Sequence, residues 1–343
     1  YKYDFVITEI GGTVGDIESL PFIESVRQLK WELGRNCLNV HLTYVPYIAA
    51  AKEFKTKPTQ HSVKQLQELG IQPDILVLRS EQVLKTDILR KVALFCNVAE
   101  ECVVQSVDVP TIYEVPLMLQ RQGMDVAVLK KVGLEVGETP DLKQWKDFLN
   151  KKAAATETVK IGLVGKYVEL QDAYKSIDES LLHAAIYNDR KLDLHLFHSE
   201  KLTDENAAEQ LADMDGLIIA PGFGQRGIEG KFSAIKYARE NNKPLFGICL
   251  GMQCMVIEFA RNVLGYTDAK STEMEPNTPH PVIDMMEEQK TVVNLGGSMR
   301  LGAYDCNLKK GSKAYEAYGK EHIQERHRHR FEFNGGYKDE FEA

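Results

Sequence analysis

The turn at residues 244–253 constrains the fold of this chain more than any other feature. A short apolar segment runs into Gly247-Ile248-Cys249-Leu250-Gly251, and apolar residues at helical spacing follow it. Glycines two residues before and two residues after a cysteine let a chain reverse sharply between a buried strand and a helix. The pattern predicts an α/β architecture with Cys249 at a helix N-terminus, where the helix dipole favours a thiolate of lowered pKa. The alternative interpretation is a buried cysteine that closes an ordinary strand-to-helix turn.

Alternating strand and helix patterns extend this architecture along the chain. Strands are predicted at 4–10, 38–45, 74–79, 102–107, 126–129, 159–165, 193–197, 216–220, 244–248 and 326–333. Helices are predicted at 20–33, 59–70, 142–152, 176–187, 204–211 and 230–241. The alternation predicts two doubly wound, mainly parallel-sheet domains at 1–140 and 159–343. We expect residues 141–158 to form a linker that contains a helix.

The composition argues against several classes of protein. The 343 residues carry a net charge of −8, and no apolar run approaches the ~18 residues of a membrane span. These features argue against a nucleic-acid-binding protein and against a membrane protein. The six cysteines include no C-x-x-C pair, which argues against a zinc site or a disulfide framework and favours a reducing, cytoplasmic location.

Both ends of the sequence resemble interrupted elements. Residue 1 is Tyr rather than Met, the strand pattern at 4–10 is already under way, and a helix pattern has just begun at the last residues. We expect the chain to be an internal piece of a longer protein.

A cysteine nucleophile requires a general base and an oxyanion site. The loop at 220–227 follows a predicted strand and contains three glycines, so it can turn backbone N–H groups outward. The histidines that follow Cys249 and could act as the base include His280, His327 and His329, and none of them stands in a setting that identifies it. The alternation in Arg326-His327-Arg328-His329-Arg330 predicts a strand with the arginines on one face and the histidines on the other.

Three further segments indicate the family that the chain resembles. They are 9–19 (EIGGTVGDIES), 55–62 (KTKPTQHS) and 325–330 (ERHRHR). Together with the Gly-Ile-Cys-Leu-Gly-Met-Gln turn, which resembles that of class I glutamine amidotransferases, they occur in the order typical of the CTP synthase family. The alternatives are another amidotransferase ligase, such as a GMP synthetase, and a catalytically inactive oligomerisation or filament module. Segments 9–18 and 55–60 favour the CTP synthase family over a GMP synthetase.

The resemblance implies a P-loop-like synthetase domain joined to a glutaminase domain. The first would use ATP and Mg²⁺ to phosphorylate O4 of UTP, and ammonia from glutamine would then displace the phosphate. CTP would act as a feedback inhibitor and GTP as an activator. The resemblance also implies a homotetramer that is able to form filaments.

The resemblance also implies residues of the nucleotide sites. Glu9 would be a magnesium ligand, since a carboxylate at the end of a strand suits a hard cation. UTP or CTP would contact Asp16, Ile17, Glu18, Lys55, Thr56, Lys57, Pro58, Thr59, Gln60 and Lys91. The adenine of ATP would contact the backbone of Val107, Asp108 and Val109. The alternatives are an acidic first helical turn at 16–18 and a solvated basic loop at 55–57.

In the glutaminase half, the resemblance implies that Cys249 forms a glutamyl thioester. Glutamine would be bound by Gly222, Leu250, Gly251, Met252, Gln253, Glu273 and Arg328. Gly222 and Leu250 would hold the carbonyl oxygen, and Glu273 and Arg328 would recognise the α-amino and α-carboxylate groups. Three residues would lie near the GTP activator, namely Lys166, Tyr174 and Lys175.

The sequence departs from the family pattern in three places. Pro221 stands where the family usually has glycine, and proline has no N–H to donate to an oxyanion. The glycine-rich phosphate loop, with a second magnesium carboxylate, belongs before residue 1. The His-Pro-Glu segment with the catalytic base belongs after residue 343. We therefore expect this piece alone to be inactive in both half-reactions.

Overall fold

A computed structural model of the chain describes residues 3–170, 172–290 and 302–343. The chain divides into two compact units, Tyr1–Leu149 and Asn150–Ala343. Within the described residues, no helix combines the length and the apolar character needed to cross a membrane.

The first unit is built around a three-stranded parallel sheet. Its strands are β1 (Val40–Tyr44), β2 (Tyr47–Ile48), β3 (Glu53–Phe54), β4 (Ile75–Ser80) and β5 (Val103–Val107). The order in the main sheet is β1-β4-β5, and β2 and β3 form a separate antiparallel pair. Residues 75–78 of the central strand are all buried, as expected where helices cover both faces of a parallel sheet. The helices are α1 (Leu20–Leu33), α2 (Lys57–Glu68), α3 (Thr86–Cys96), α4 (Val115–Arg121), α5 (Met124–Val132) and α6 (Lys143–Ala154), which crosses into the second unit.

The second unit is built around a four-stranded parallel sheet of order β7-β6-β8-β9. Its strands are β6 (Glu157–Gly165), β7 (Arg190–His198), β8 (Gly216–Ile219) and β9 (Leu245–Gly247). The helices between and after them are α7 (Lys175–Tyr187), α8 (Ala207–Leu211), α9 (Ile228–Glu240) and α10 (Leu250–Asn262). The remaining strands are β10 (Lys270–Ser271), β11 (Pro281–Met285), β12 (Ala303–Asn307), β13 (His322–Arg326) and β14 (Phe331–Phe333). The remaining helices are α11 (Glu287–Lys290), α12 (Lys313–Tyr318) and α13 (Lys338–Glu342).

One apolar core joins β8, α9, α10 and β11 of the second unit. Ile219 of β8, Ile235 of α9, Ile257 of α10 and Ile283 of β11 belong to it, and none is more than 2% exposed. Burial of apolar side chains such as these is the main favourable contribution to folding. The relative positions of β8, α9 and α10 are therefore set by the core of this unit.

The predicted α/β class with mainly parallel sheets is confirmed. The proposed domain boundaries at 140 and 159 remain predictions, with α6 and the start of β6 lying inside the expected linker.

Three predicted strands are wrong. Residues 4–10 form no strand, and Ile7 is 95% exposed, because no described strand pairs with this segment. Residues 126–129 are helical in α5, since a four-residue apolar run does not distinguish a strand from a buried helix. The predicted strand 326–333 is interrupted at 327–330. Its two ends belong to different sheets: β13 pairs with β12, and β14 pairs with β11.

A buried ion pair fastens α9 to α10. Glu258 of α10 is 1% exposed and accepts three hydrogen bonds of 2.9–3.2 Å from the guanidinium of Arg239 in α9. Asn262 donates a further hydrogen bond of 2.9 Å to the same carboxylate. Removing the cation would leave a buried carboxylate without its counter-charge.

Arg239→Met should therefore lower the free energy of unfolding by about 3 kcal/mol, the low end of the range for a broken buried pair, because Arg239 itself is 30% exposed. Urea unfolding followed by circular dichroism measures this loss. Lys236→Met is the matched control, since it removes an exposed pair with Asp204 on the same helix and should cost less than ~1 kcal/mol. Equal losses in the two variants would contradict the role given to the buried pair.

Candidate active site

The chain reverses between β9 and α10 within two residues, Ile248 and Cys249. Cys249 has φ +54° and ψ −111°, a conformation that costs a non-glycine residue on the order of 1–3 kcal/mol. Backbone hydrogen bonds hold both sides of the turn. Ile248 donates to Ile219 at 3.0 Å, and Gln253 donates to Cys249 at 3.1 Å. The sharp turn predicted from the glycine pattern is confirmed.

The two flanking glycines are required by space. A Cβ on Gly251 would lie 2.1 Å from the carbonyl oxygen of Ile219, and one on Gly247 would lie 2.5 Å from the nitrogen of Met252. Both neighbours are backbone atoms, so a side chain at either position would open the turn.

Burial raises the pKa of the Cys249 thiol above its ordinary value. The Leu250 N–H beside the sulfur and the charge of Lys231 act to lower this pKa, whereas the charge of Glu273 acts with burial to raise it. The lowered pKa predicted from the helix N-terminus is therefore wrong, because desolvation of a thiolate outweighs the two favourable contacts.

The loop after β8 lies against the first turn of α10. A Cβ on Gly222 would be 3.6 Å from Cδ2 of Leu250. In the part of the chain that the structure describes, neither Gly222 nor Leu250 donates its N–H to another backbone group. Available N–H groups beside a nucleophile are what an oxyanion site requires, and Pro221 has none to add.

Cys249 lines a cavity of about 240 Å³. The predicted glutamine-binding residues in its wall are Gly222, Leu250, Gln253, Glu273 and Arg328. Gly251 and Met252 are not among the lining residues, so their contact with glutamine remains a prediction.

Two side chains of opposite charge in this cavity, Glu273 and Arg328, have no partner among the described residues. Neither the carboxylate of Glu273 nor the guanidinium of Arg328 forms an ion pair or side-chain hydrogen bond with the described residues. Burial raises the pKa of the Glu273 carboxyl, and an ammonium group bound beside it would lower that pKa. A carboxylate and a guanidinium in one cavity suit the two charged groups of an amino acid.

The side chain of Gln253 has a hydrogen-bond acceptor that no described group satisfies. Its side-chain N–H donates to the carbonyl of Phe331 in β14 at 2.9 Å. Its Oε1 is buried and has no hydrogen-bond partner among the described residues. Leaving a buried acceptor unsatisfied costs about 1–3 kcal/mol, so an N–H group of a ligand in the cavity would be stabilised here.

Of the three candidate histidines, only His329 lines the cavity among the described residues. His329 lines it, with its Nε2 3.3 Å from Nδ1 of His327, whereas His280 bonds Asp268 at 2.6 Å and does not line it. Arg328 and Arg330 lie in the same wall as His329. The predicted division of arginines and histidines onto two faces is therefore wrong, because 327–330 is not a strand.

In the first unit, residues 55–60 lead into α2 near the carboxyl end of β1. Thr59 Oγ1 donates to the carbonyl of Tyr44, the last residue of β1, at 3.3 Å, and Gln60 Nε2 donates to Thr56 Oγ1 at 3.1 Å. Thr56, Thr59 and Gln60 are buried. The exposed members of the segment are Lys55, Lys57 and Pro58. The buried residues thus fasten the start of α2, and the two lysines face solvent.

Lys55 and Lys91 are brought to one carboxylate. The pKa of Glu53 lies below its ordinary value, mainly because Lys55 donates a hydrogen bond to it and partly because of the charge of Lys91. Two of the three lysines predicted to contact UTP or CTP therefore lie near each other.

The acidic residues expected at the nucleotide and metal sites lie before α1. Asp16 accepts a hydrogen bond of 2.7 Å from the N–H of Thr13, and Ile17–Ser19 form a 3₁₀ turn. Gly15 packs on α2, since a Cβ there would lie 1.9 Å from Nε2 of Gln65. Nucleotide contacts of Asp16, Ile17 and Glu18 remain predictions.

Glu9 lies exposed in the irregular segment before this turn. The described residues contain no group of three potential metal ligands from His, Cys, Asp and Glu. Mg²⁺ bound to nucleotide phosphates commonly uses one or two protein carboxylates, and its other ligands are phosphate and water oxygens. The carboxylate of Glu9 fits that requirement.

The segment 107–109 begins at the last residue of β5, at the carboxyl edge of the sheet, where ligands bind in open α/β folds. Asp108 pairs with Arg79 of β4, which also donates to the carbonyl of Ser106 at 3.3 Å. Adenine contacts of Val107, Asp108 and Val109 remain predictions.

The residues predicted near GTP make internal contacts in the second unit. The hydroxyl of Tyr174 accepts hydrogen bonds from the N–H groups of Lys166 and Tyr167 at 3.2 and 3.3 Å. Lys175 pairs with Glu179 at 2.6 Å. A GTP site at Lys166, Tyr174 and Lys175 remains a prediction.

Both units of the chain match families of known proteins. Residues 1–134 match the family described as CTP synthase N-terminus, and residues 169–343 match class-I glutamine amidotransferases. A CTP synthase from Porphyromonas gingivalis is 74% identical over 99% of this chain and 63% of that protein. CTP synthases from Bacteroides fragilis and Flavobacterium johnsoniae are 69% and 58% identical, over 100% and 99% of this chain and 64% of each protein. The chain thus spans slightly less than two thirds of the length of these curated relatives.

A solved structure resembles part of the chain. The glutaminase domain of Trypanosoma brucei CTPS with bound acivicin is 38% identical, with a TM-score of 0.50 over 54% of this chain and 72% of that chain.

The steric constraint at the turn gives a direct test. Gly251→Ala places a methyl group against the Ile219 carbonyl, and we expect a loss of unfolding free energy of roughly 1–3 kcal/mol or more. Thermal and urea unfolding measure it. Gly335→Ala is the control, since nothing lies within 4 Å of a Cβ at that position. A Gly251→Ala protein as stable as the control would contradict the packing described for the turn.

Proposed function

Because this chain belongs to the CTP synthase family and its residues 169–343 belong to the class I glutamine amidotransferases, we propose that it acts in the ATP-dependent amination of UTP to CTP. The ammonia would come from glutamine hydrolysed at Cys249. The match of residues 1–134 to the CTP synthase N-terminus favours this function over that of a GMP synthetase.

The single observation that carries the glutaminase proposal is that Glu273 and Arg328, in the cavity lined by Cys249, have no charged or hydrogen-bonding side-chain partner among the described residues. Glu273 would bind the α-ammonium group of glutamine, and Arg328 would bind its α-carboxylate. These two contacts together would direct the side-chain amide of glutamine towards Cys249. The unsatisfied Oε1 of Gln253 would accept a hydrogen bond from an N–H group of the substrate. A ligand with only one of the two charges would leave either Glu273 or Arg328 without an opposite charge.

The chemistry at the thiol would proceed in two steps. The ionised sulfur attacks the amide carbon, and the N–H groups of Leu250 and Gly222 stabilise the negative oxygen that forms. The carbon–nitrogen bond breaks, the nitrogen takes up the proton that the thiol gave up on ionisation, and ammonia leaves a thioester on Cys249. Water then cleaves the thioester and releases glutamate, which restores the thiol.

The nucleotide proposal rests on charge at the carboxyl edge of the first sheet. Lys55, Lys57 and Lys91 would bind the triphosphate of UTP or of the inhibitor CTP, with Lys55 exchanging Glu53 for phosphate. The buried Thr56, Thr59 and Gln60 would hold the loop in shape, and Asp16, Ile17 and Glu18 would contact the pyrimidine nucleotide. ATP would lie near 107–109. Glu9 would hold Mg²⁺, which supplies charge neutralisation on the transferred phosphate.

We infer the regulation, the assembly and the cellular location of the protein from the family that it resembles. GTP would activate, and the active form would be a homotetramer able to form filaments. The six cysteines are free thiols, the state that a reducing cytoplasm maintains, and we place the protein there.

Cys249→Ala should abolish glutamine-dependent CTP formation, by at least about 1,000-fold, because no other group replaces the nucleophile. CTP formation from added ammonia should persist, since the synthetase residues are untouched. Both rates are measured on protein expressed from the complete gene. Cys306→Ala, at a thiol that does not line the cavity, is the control. Glutamine-driven turnover in the Cys249→Ala protein would refute the assignment.

Lys55→Ala and Lys57→Ala should each weaken UTP and CTP binding together, by roughly 10- to 100-fold, which corresponds to one charge-assisted contact of ~1.5–3 kcal/mol. Isothermal titration with both nucleotides measures the effect. Lys64→Ala, an exposed lysine further along α2, should leave binding unchanged. Unaltered affinity in both test variants would make 55–57 a solvated basic loop.

A further inference from the structure

Lys231 is a buried cation that the proposed reaction does not use. It lies in the first turn of α9 and is 1% exposed. Its ammonium group donates a hydrogen bond of 2.7 Å to the carbonyl of Ala220, at the end of β8. Lysine is almost never fully buried without a counter-charge, so this position calls for a physical reason.

No carboxylate offsets the charge of Lys231 in the part of the chain that the structure describes. It has no ion pair there, and the titratable groups that act on it are Cys254 and Cys249 of the α10 region and Lys166 at the end of β6. Burial and Lys166 lower the pKa of Lys231, and the two thiols raise it. The groups whose ionisation would stabilise this cation are therefore cysteines, and Cys249 is one of them.

The hydrogen bonds of two lysines enclose the loop that carries Gly222. Lys231 binds the carbonyl of Ala220, and Lys166 donates to the carbonyl of Phe223. A Cβ on Gly222 would lie 4.0 Å from Nζ of Lys231 and 3.5 Å from Cε of Lys166. The backbone between the two anchored carbonyls is the part of the loop that lies against Leu250.

We propose that Lys231 is a positioning residue of the glutaminase site, whose buried ammonium anchors the Ala220 carbonyl beneath Gly222 and favours the ionised form of Cys249. This inference rests on the proposed function, since it assigns Lys231 to the same nucleophile and the same oxyanion loop. Lys231 touches no reacting atom and acts through the loop and through its field. Glu273 opposes ionisation of Cys249, and Lys166 and Cys254 act on Lys231. The other charged or titratable groups in the wall of the Cys249 cavity are Arg328, His329 and Arg330.

The test is Lys231→Met, which removes the charge but keeps a long side chain, with Lys236→Met on the same helix as control. The rate of iodoacetamide labelling at Cys249 is followed against pH by peptide mapping, in protein expressed from the complete gene. The midpoint should rise by roughly half to one pH unit in Lys231→Met only, because a cation that favours the thiolate has been removed. The kcat of glutamine hydrolysis should fall about tenfold or more with little change in KM, since the loss falls on charge that develops during the reaction.

An unchanged labelling midpoint overturns the inference even if activity falls, because a merely structural lysine would affect activity through folding alone. Circular dichroism and ammonia-dependent CTP formation check that the variant is folded. If Lys231→Met does not fold, Lys231→Gln, which keeps a polar group at the buried position, is measured in the same way with the same criterion. A failure of the proposed function would look different from a failure of this inference. In that case the protein with Lys231 intact would itself release no glutamate through Cys249.

Discussion

The close approach of α10 to the end of β8 is the constraint on which the second unit depends. With Gly251 against the Ile219 carbonyl, the helix has to begin one residue after Cys249, which takes a positive φ. That geometry leaves the Leu250 N–H beside the sulfur and directs Gln253 into the same cavity. The ion pair between Glu258 and Arg239 then ties α10 to α9. Through Lys231, α9 holds the loop that faces the thiol.

The order and type of most elements were predictable from periodicity, because long amphipathic patterns such as α1 and short buried strands such as β4 have distinct spacings. The failures share a cause: they concern segments whose state depends on what lies beside them. Residues 126–129 are apolar in any setting, and they are helical because the pattern continues from Met124 to Val132. Residues 326–333 alternate like one strand, yet the chain moves from one sheet to another at 327–330.

The turn at Cys249 was predictable because its glycines leave a local signature, and the family resemblance also indicated Gly222, Glu273 and Arg328. Periodicity does not reveal which charges lack a partner, so the cavity shared by Glu273 and Arg328 could be identified only from the structure. The pKa of Cys249 was predicted in the wrong direction, since a helix terminus is visible in sequence and burial is not. Lys231 was missed for the same reason: within the pattern of α9 it resembles any surface lysine. In the first unit, the sequence indicated a basic loop at Lys55 and Lys57. It did not indicate that Thr59 and Gln60 are buried and form hydrogen bonds within the unit.

The central claim is that one cavity recognises both charged groups of glutamine and delivers its amide to Cys249. A crystal structure of the Cys249→Ala protein with glutamine, which cannot turn over, tests this most directly. We expect the α-ammonium group at Glu273, the α-carboxylate at Arg328, and the amide carbonyl oxygen within about 3 Å of the Leu250 N–H. Glutamine bound in the reverse orientation, or bound outside this cavity, would contradict it.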